Sequence, residues 1–94
     1  MTQIHVSRLV NALTSKGFEA VETHHTMLWL VVRGNRTGIH TWISHGTRKA
    51  EDWLLGQIAR QIHLTKQELL KFIDCEIGAD NYVTLMIERS HLRP

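Results

Sequence analysis

Residues 27–44 constrain the fold of this chain more than any other segment. Residues 27–33 form a near-continuous apolar run, residues 37–44 alternate between polar and apolar side chains, and Gly34-Asn35 supplies a turn between them. This pattern predicts two antiparallel strands joined by a tight connection. Residues 18–23 also alternate, which adds a strand in front. We therefore predict a three-stranded antiparallel meander.

The last of these strands distinguishes two faces of the predicted sheet. Successive side chains of a strand point to opposite faces. One face then carries Ile39, Thr41 and Ile43. The opposite face carries His40, Trp42 and Ser44. We expect helices to cover the first face and to leave the second face open.

Helical periodicity stands on both sides of the strands. Apolar residues recur at helical spacing through residues 3–16, and Gly17 follows where a residue of positive φ commonly ends a helix. This predicts a first helix over residues 3–16. A second apolar stripe at the same spacing spans residues 54–62, so another helix follows the sheet.

The remaining helices are predicted from their N-terminal signals. Thr65-Lys66-Gln67-Glu68 has the form of a capping box, which predicts a helix over residues 65–74. Asp80 is placed to cap a short last helix. The chain is thus predicted to be a single α+β domain of order α-β-β-β-α with helices on one face of the sheet. Residues 1–75 form its core, and residues 76–94 form a C-terminal helical extension and tail.

Composition narrows the classes of protein. No apolar run approaches the roughly 20 residues of a membrane span, and the N-terminus lacks a signal pattern, so we expect no membrane association. The single cysteine, Cys75, cannot form an internal disulfide, which fits a cytoplasmic location. The net charge of +2 permits contact with RNA without requiring it.

Histidine is the residue type that bears most directly on function. The chain contains seven histidines, and His24-His25 stands at the start of the apolar strand. Imidazole exchanges protons near neutral pH, so a histidine held at a strand end can serve as a general acid or base. If the last strand is antiparallel, His45 returns to the same end. Arg48 and Lys49 follow it and could hold phosphate charge.

Five short segments also carry a resemblance to a known family. They are Ser15-Lys16-Gly17-Phe18, Thr23-His24-His25, Ser44-His45-Gly46, Leu54-Leu55-Gly56-Gln57-Ile58-Ala59-Arg60-Gln61 and residues 64–75. In this order they resemble the HicA family of toxins, which are small mRNA interferases encoded beside an antitoxin, HicB. The resemblance spans residues 5–75.

The resemblance implies a double-stranded-RNA-binding-like fold, RNA endonuclease activity without a metal, and neutralisation by a HicB-like antitoxin. The family's catalytic histidine corresponds to His24, and the Gly-Ser pair that precedes it in the family is Glu22-Thr23 here. RNA cleavage of this kind needs a base for the 2′-hydroxyl proton, an acid for the leaving oxygen and positive charge at the phosphate. The predicted catalytic residues are His24, as the base, and His45. The predicted RNA contacts are Thr23, Arg48, Lys49 and Trp42.

Other interpretations of the same residues stay open. A histidine at a strand end is more often structural, so a noncatalytic RNA-binding or protein-interaction domain is the alternative function. Neighbouring histidines on a strand point apart, and the chain has no cysteine pair with zinc spacing, so we expect no metal and no cofactor. Trp29, Trp42 and Trp53 could be platforms on which unpaired bases stack, but tryptophans are more often in the core, and we expect this of Trp29 and Trp53. Trp42 is the exception, because it shares its face with His40 and Ser44.

Overall fold

The computed structural model describes residues 3–94. Its elements in chain order are β1 (Ile4–His5), α1 (Val6–Thr14), β2 (Phe18–Glu22), β3 (His25–Val32), β4 (Asn35–Ser44), β5 (Lys49–Ala50), α2 (Asp52–Gln61), α3 (Lys66–Ile73) and α4 (Ala79–Glu88). Strands β2, β3 and β4 form the main sheet as an antiparallel meander, and β1 pairs with β5 in a separate two-stranded sheet. The predicted α+β class and the three-stranded meander are confirmed.

The hairpin between β3 and β4 is closed by a turn of two residues, Arg33 and Gly34. Their φ angles are 53° and 78°. Positive φ at both central positions is typical of a type I′ turn, whose twist matches that of the flanking strands. The prediction placed this turn at Gly34-Asn35, one residue too late, because Asn35 already pairs with Val32 in the ladder.

Burial alternates along the strands of the main sheet, so its two faces differ. In β3, Leu28 and Leu30 are buried, whereas Met27 and Trp29 are only half-buried. Helices α1 and α2 pack on the first of these sides. We call this side the covered face; its buried residues are Phe18, Leu28, Leu30, Ile39, Thr41 and Ile43. We call the other side the open face; its residues are Glu19, Val21, His25, Met27, Trp29, Val31, Arg36, His40, Trp42 and Ser44. The predicted division into a covered and an open face is confirmed.

The first helix is shorter than the prediction of residues 3–16. It spans Val6–Thr14, and the two residues before it form β1 instead. Ile4 of β1 pairs with Ala50 of β5, and both side chains are buried. Because this pairing joins distant parts of the chain, helical spacing at the N-terminus could not reveal it. Gly17 has a φ of 102°, so the predicted positive φ is confirmed.

The capping box at the start of α3 is confirmed. The hydroxyl of Thr65 accepts a hydrogen bond from the backbone N–H of Glu68 at 3.1 Å, and the Glu68 carboxylate accepts one from the N–H of Thr65 at 2.8 Å. The same carboxylate accepts a hydrogen bond from Arg89, which lowers the pKa of Glu68 to about 2. This cap therefore ties α3 to the end of α4.

The last helix begins earlier than predicted. Its N-cap is Gly78, and Asp80, the predicted cap, lies in the first turn. The Tyr82 ring stacks on Phe72 with 4.7 Å between centroids, and its hydroxyl donates to the backbone oxygen of Ile62 at 2.8 Å. Burial raises the pKa of Tyr82. The C-terminal extension thus packs into the same hydrophobic core as the rest of the domain.

Candidate functional site

The predicted catalytic residue His24 lies in the turn between β2 and β3, just before the strand at whose start the sequence placed it. The backbone N–H and the hydroxyl of Thr23 both donate to the backbone oxygen of His25, at 2.9 and 3.2 Å, which closes this turn. The His24 side chain is exposed and makes no hydrogen bond or ion pair with the described residues. His24 is therefore accessible but is not oriented by a neighbour.

The register of β3 and β4 brings His45 to the same end of the sheet as His24. His25, the first residue of β3, pairs with Ser44, the last residue of β4. His24 therefore lies just before this terminal pair on one strand, and His45 lies just after it on the other. The expectation that an antiparallel strand returns His45 to this end is confirmed.

His45 is held by the carboxylate of Glu22, a contact that was not predicted. Its Nε2 lies 2.9 Å from Oε2 of Glu22, and the hydroxyl of Thr26 donates to the same carboxylate at 3.1 Å. A carboxylate accepts hydrogen bonds, so Nε2 carries the hydrogen, and in the neutral ring the lone pair lies on Nδ1. This is the arrangement in which an acidic side chain orients a histidine base.

A cleft of about 540 Å³ lies beside this pair. Its polar lining comes from β1, α1, β2, β3 and the loop after β4: His5, Ser7, Asn11, Glu22, Thr26, Thr47 and Arg48. The backbone oxygen of Arg48 accepts from the N–H of Val6 at 2.8 Å, which fixes the loop against the start of α1. No side chain caps α1, and its first turn has no acidic residue. The cleft is thus lined by the cation Arg48 and by the Glu22 carboxylate that holds the imidazole of His45, beside the uncapped start of α1.

The structure divides the predicted RNA contacts between two sides of the sheet. Arg48 lines the cleft, and the exposed Lys49 lies in β5 next to it. Trp42, by contrast, projects from the open face, where its ring packs against His25 with 4.5 Å between centroids. Trp42 is therefore not brought together with His45, because His45 lies three residues further along and side chains alternate between the two faces of a strand.

The open face carries a row of aromatic and imidazole rings. Trp29 stacks on His40 with 4.3 Å between ring centroids, and the guanidinium of Arg36 lies 5.0 Å from the Trp29 centroid. Arg36 also pairs with Glu19 at 2.8 Å. The prediction that Trp29 lies in the core is wrong, since its ring is only half-buried. The same prediction is wrong for Trp53, which is 68% exposed on α2.

Sequence reasoning missed Glu22 as a partner in the site and regarded it only as a replacement for the family's glycine. One signal was available, because the predicted meander pairs the end of one strand with the start of the next. Glu22 and Thr26 are such a pair. No sequence pattern indicated that His5 and Asn11 line the cleft, since the strand β1 was not predicted.

No family model, curated protein or solved structure matches this chain. Within residues 3–94, no helix is both long and apolar enough to cross a membrane. The same residues contain no group of three or more histidine, cysteine, aspartate or glutamate side chains placed to hold a metal ion.

Proposed function

We propose that this protein is an RNA endonuclease of the HicA type that cleaves without a metal at the cleft beside Glu22 and His45. The observation that carries the proposal is the 2.9 Å contact between His45 Nε2 and the Glu22 carboxylate at the edge of a cleft lined by Arg48. The order α1-β2-β3-β4-α2 supports a double-stranded-RNA-binding-like arrangement as part of the same proposal.

The reaction divides among three side chains. His45 Nδ1 takes the proton of a ribose 2′-hydroxyl, and the 2′-oxygen attacks the adjacent phosphorus. The bond from phosphorus to the 5′-oxygen breaks, and His24 in its imidazolium form donates a proton to that oxygen. Arg48 offsets the charge of the phosphorane. The products are a 2′,3′-cyclic phosphate and a free 5′-hydroxyl.

This assignment exchanges the roles that the sequence suggested. Sequence alone pointed to His24 as the base, but its side chain has no orienting partner among the described residues. The carboxylate of Glu22 fixes the ring of His45 with the lone pair on Nδ1, which suits the base. The accessible His24 then serves as the acid. Glu22, which replaces the family's glycine, becomes a positioning residue and not a defect.

The proposal includes a partner protein. An mRNA interferase must be held inactive until it is needed, and the resemblance names a HicB-like antitoxin for this role. Such a partner would cover the cleft and the turn that carries His24. Both are exposed to solvent, and the side chains of Glu22 and His45 are 66% and 51% exposed.

The test is cleavage of a mixed single-stranded RNA by the purified protein in EDTA, with the ends of the products identified. We expect 2′,3′-cyclic phosphate ends from the wild type. His45→Ala and His24→Ala should each lower the rate by about 100-fold or more, the usual contribution of a general acid or base. Glu22→Gln should lower the rate less and shift its pH profile.

The matched control is His91→Ala, which removes an exposed histidine near the C-terminus, and circular dichroism checks that each variant is folded. Full activity of folded His45→Ala would remove this residue from the mechanism. If wild type binds RNA stoichiometrically without cleaving it, the noncatalytic RNA-binding domain becomes the better assignment. The open face, with its half-exposed aromatic rings, favours that second function.

A further inference from the structure

The geometry points to the open face of the sheet as a binding surface for single-stranded RNA, with bases stacking against the Trp29–His40 and Trp42–His25 pairs. This surface lies on the opposite side of the sheet from the covered face and is separate from the cleft. The inference rests on the proposed function only in taking RNA as the ligand, and it requires no cleavage.

The spacing of the rings suits a ligand that offers one flat group after another. Trp29 pairs with His40, and Trp42 pairs with Met27, so the two indoles are diagonal neighbours on adjacent strands. Diagonal positions on one face lie about 7–8 Å apart. Both indoles are half-exposed, and no helix within residues 3–94 covers this side. Two successive bases can therefore contact the two ring pairs without rearrangement of the backbone.

The polar groups among the rings favour RNA over an apolar protein surface. An apolar cover would desolvate the half-buried His40 and the exposed Arg36–Glu19 pair, which carries a cost. Base edges instead offer hydrogen-bonding groups, and aromatic rings and arginine are the side chains on which unpaired bases stack.

The charges of the open face agree with a polyanion. The open face carries one acid, Glu19, which is paired with the cation Arg36, and two histidines. Arg33 lies in the turn at the end of the same strands. Duplex RNA is a poor ligand for such a surface, because its base faces are covered by their own neighbours.

Trp53 makes the inference directly measurable. It is the third tryptophan of the chain and is exposed on α2, away from the open face. In the background His45→Ala/Trp53→Phe, which also blocks cleavage, all indole fluorescence comes from Trp29 and Trp42. Titration with an oligouridylate should quench this fluorescence and reach saturation. The same length of duplex RNA should not quench it comparably.

Binding of fluorescein-labelled oligouridylate, followed by anisotropy, gives the affinities. In the His45→Ala background, Trp42→Ala should weaken binding at least about fivefold, as the loss of one stacked base does. Trp42→Phe keeps a ring and should retain most of the affinity; it also serves if the alanine variant does not fold. The matched control, Trp53→Ala, should bind like its parent.

Four outcomes would overturn the inference. They are an affinity unchanged in folded Trp42→Ala, equal quenching by duplex RNA, an absence of RNA binding, and a dimer in sedimentation that Trp42→Ala disrupts. The last would assign the face to a second copy of the chain. If the wild type cleaves RNA but binding does not depend on Trp42, this inference is wrong and the proposed endonuclease activity stands. If binding depends on Trp42 but the wild type does not cleave RNA, the inference stands and the proposed endonuclease activity is wrong.

Discussion

The two faces of the main sheet come from the same three strands, yet different interactions hold them. On the covered face, Leu28 and Leu30 are buried under helices, and the hydroxyl of Thr41 donates to Gln61. On the open face, indole and imidazole rings pack on one another and stay half-exposed. One step along a strand therefore separates a residue that stabilises the fold from a residue that is available for binding.

The largest expected difference is between two neighbours on β3. Leu28→Ala removes a fully buried side chain and should lower the free energy of unfolding by about 2–5 kcal/mol. Met27→Ala, on the half-exposed side, should cost about 1 kcal/mol. Urea denaturation of both variants measures the two losses. Equal losses would mean that something covers the open face in solution.

A smaller effect is expected at Thr41, a polar side chain that is buried on the covered face. Thr41→Val keeps the shape of the side chain but removes the hydroxyl that donates to Gln61, so we expect a loss of about 0.5–1.5 kcal/mol. Ser44→Ala on the open face is the matched control, and it should change stability by less than about 0.5 kcal/mol. If Thr41→Val leaves the free energy of unfolding unchanged, this hydrogen bond contributes no net stability.

The smallest effect concerns a histidine pair away from the sheet. His63 and His91 stack with 3.6 Å between centroids, and burial, together with the charge of His91, lowers the pKa of His63. The unfolded chain then binds the proton more readily, so this contribution to stability is full above pH 6.5 and is lost as the pH falls below 6.5. Melting temperatures between pH 7.5 and about 5 should fall less steeply for His63→Ala than for wild type. Equal slopes would contradict this coupling.

Features that depend on residues close along the chain could be predicted from the sequence, and features that depend on distant segments could not. The division of β4 into two faces and the capping box of Thr65 and Glu68 depend on residues that are close along the chain, and both predictions are confirmed. The strand β1 depends on a partner far along the chain, and its residues were predicted to belong to the first helix. The N-cap of α4 was misplaced because Asp80 is the better capping residue, whereas the chain places Gly78 there.

The candidate site shows the same limit. Arg48 and the common position of His24 and His45 follow from the order and direction of the strands. The contact between Glu22 and His45 needs the register of two hairpins at once, which composition and spacing do not supply. The prediction that Trp29 is buried also failed, because a large apolar residue on a strand is buried only if its own face of the sheet is covered.

The meander order of the sheet also affects how the chain folds. Every strand of the main sheet pairs with its neighbour in sequence, and the Arg33–Gly34 turn leaves almost no loop to close. Hairpins of this kind form within about 1–10 μs, before contacts between distant segments. The open face is then complete early. The cleft needs β1, α1 and the loop after β4 to meet, so a catalytic centre there would assemble last, after the proposed binding surface for single-stranded RNA has formed.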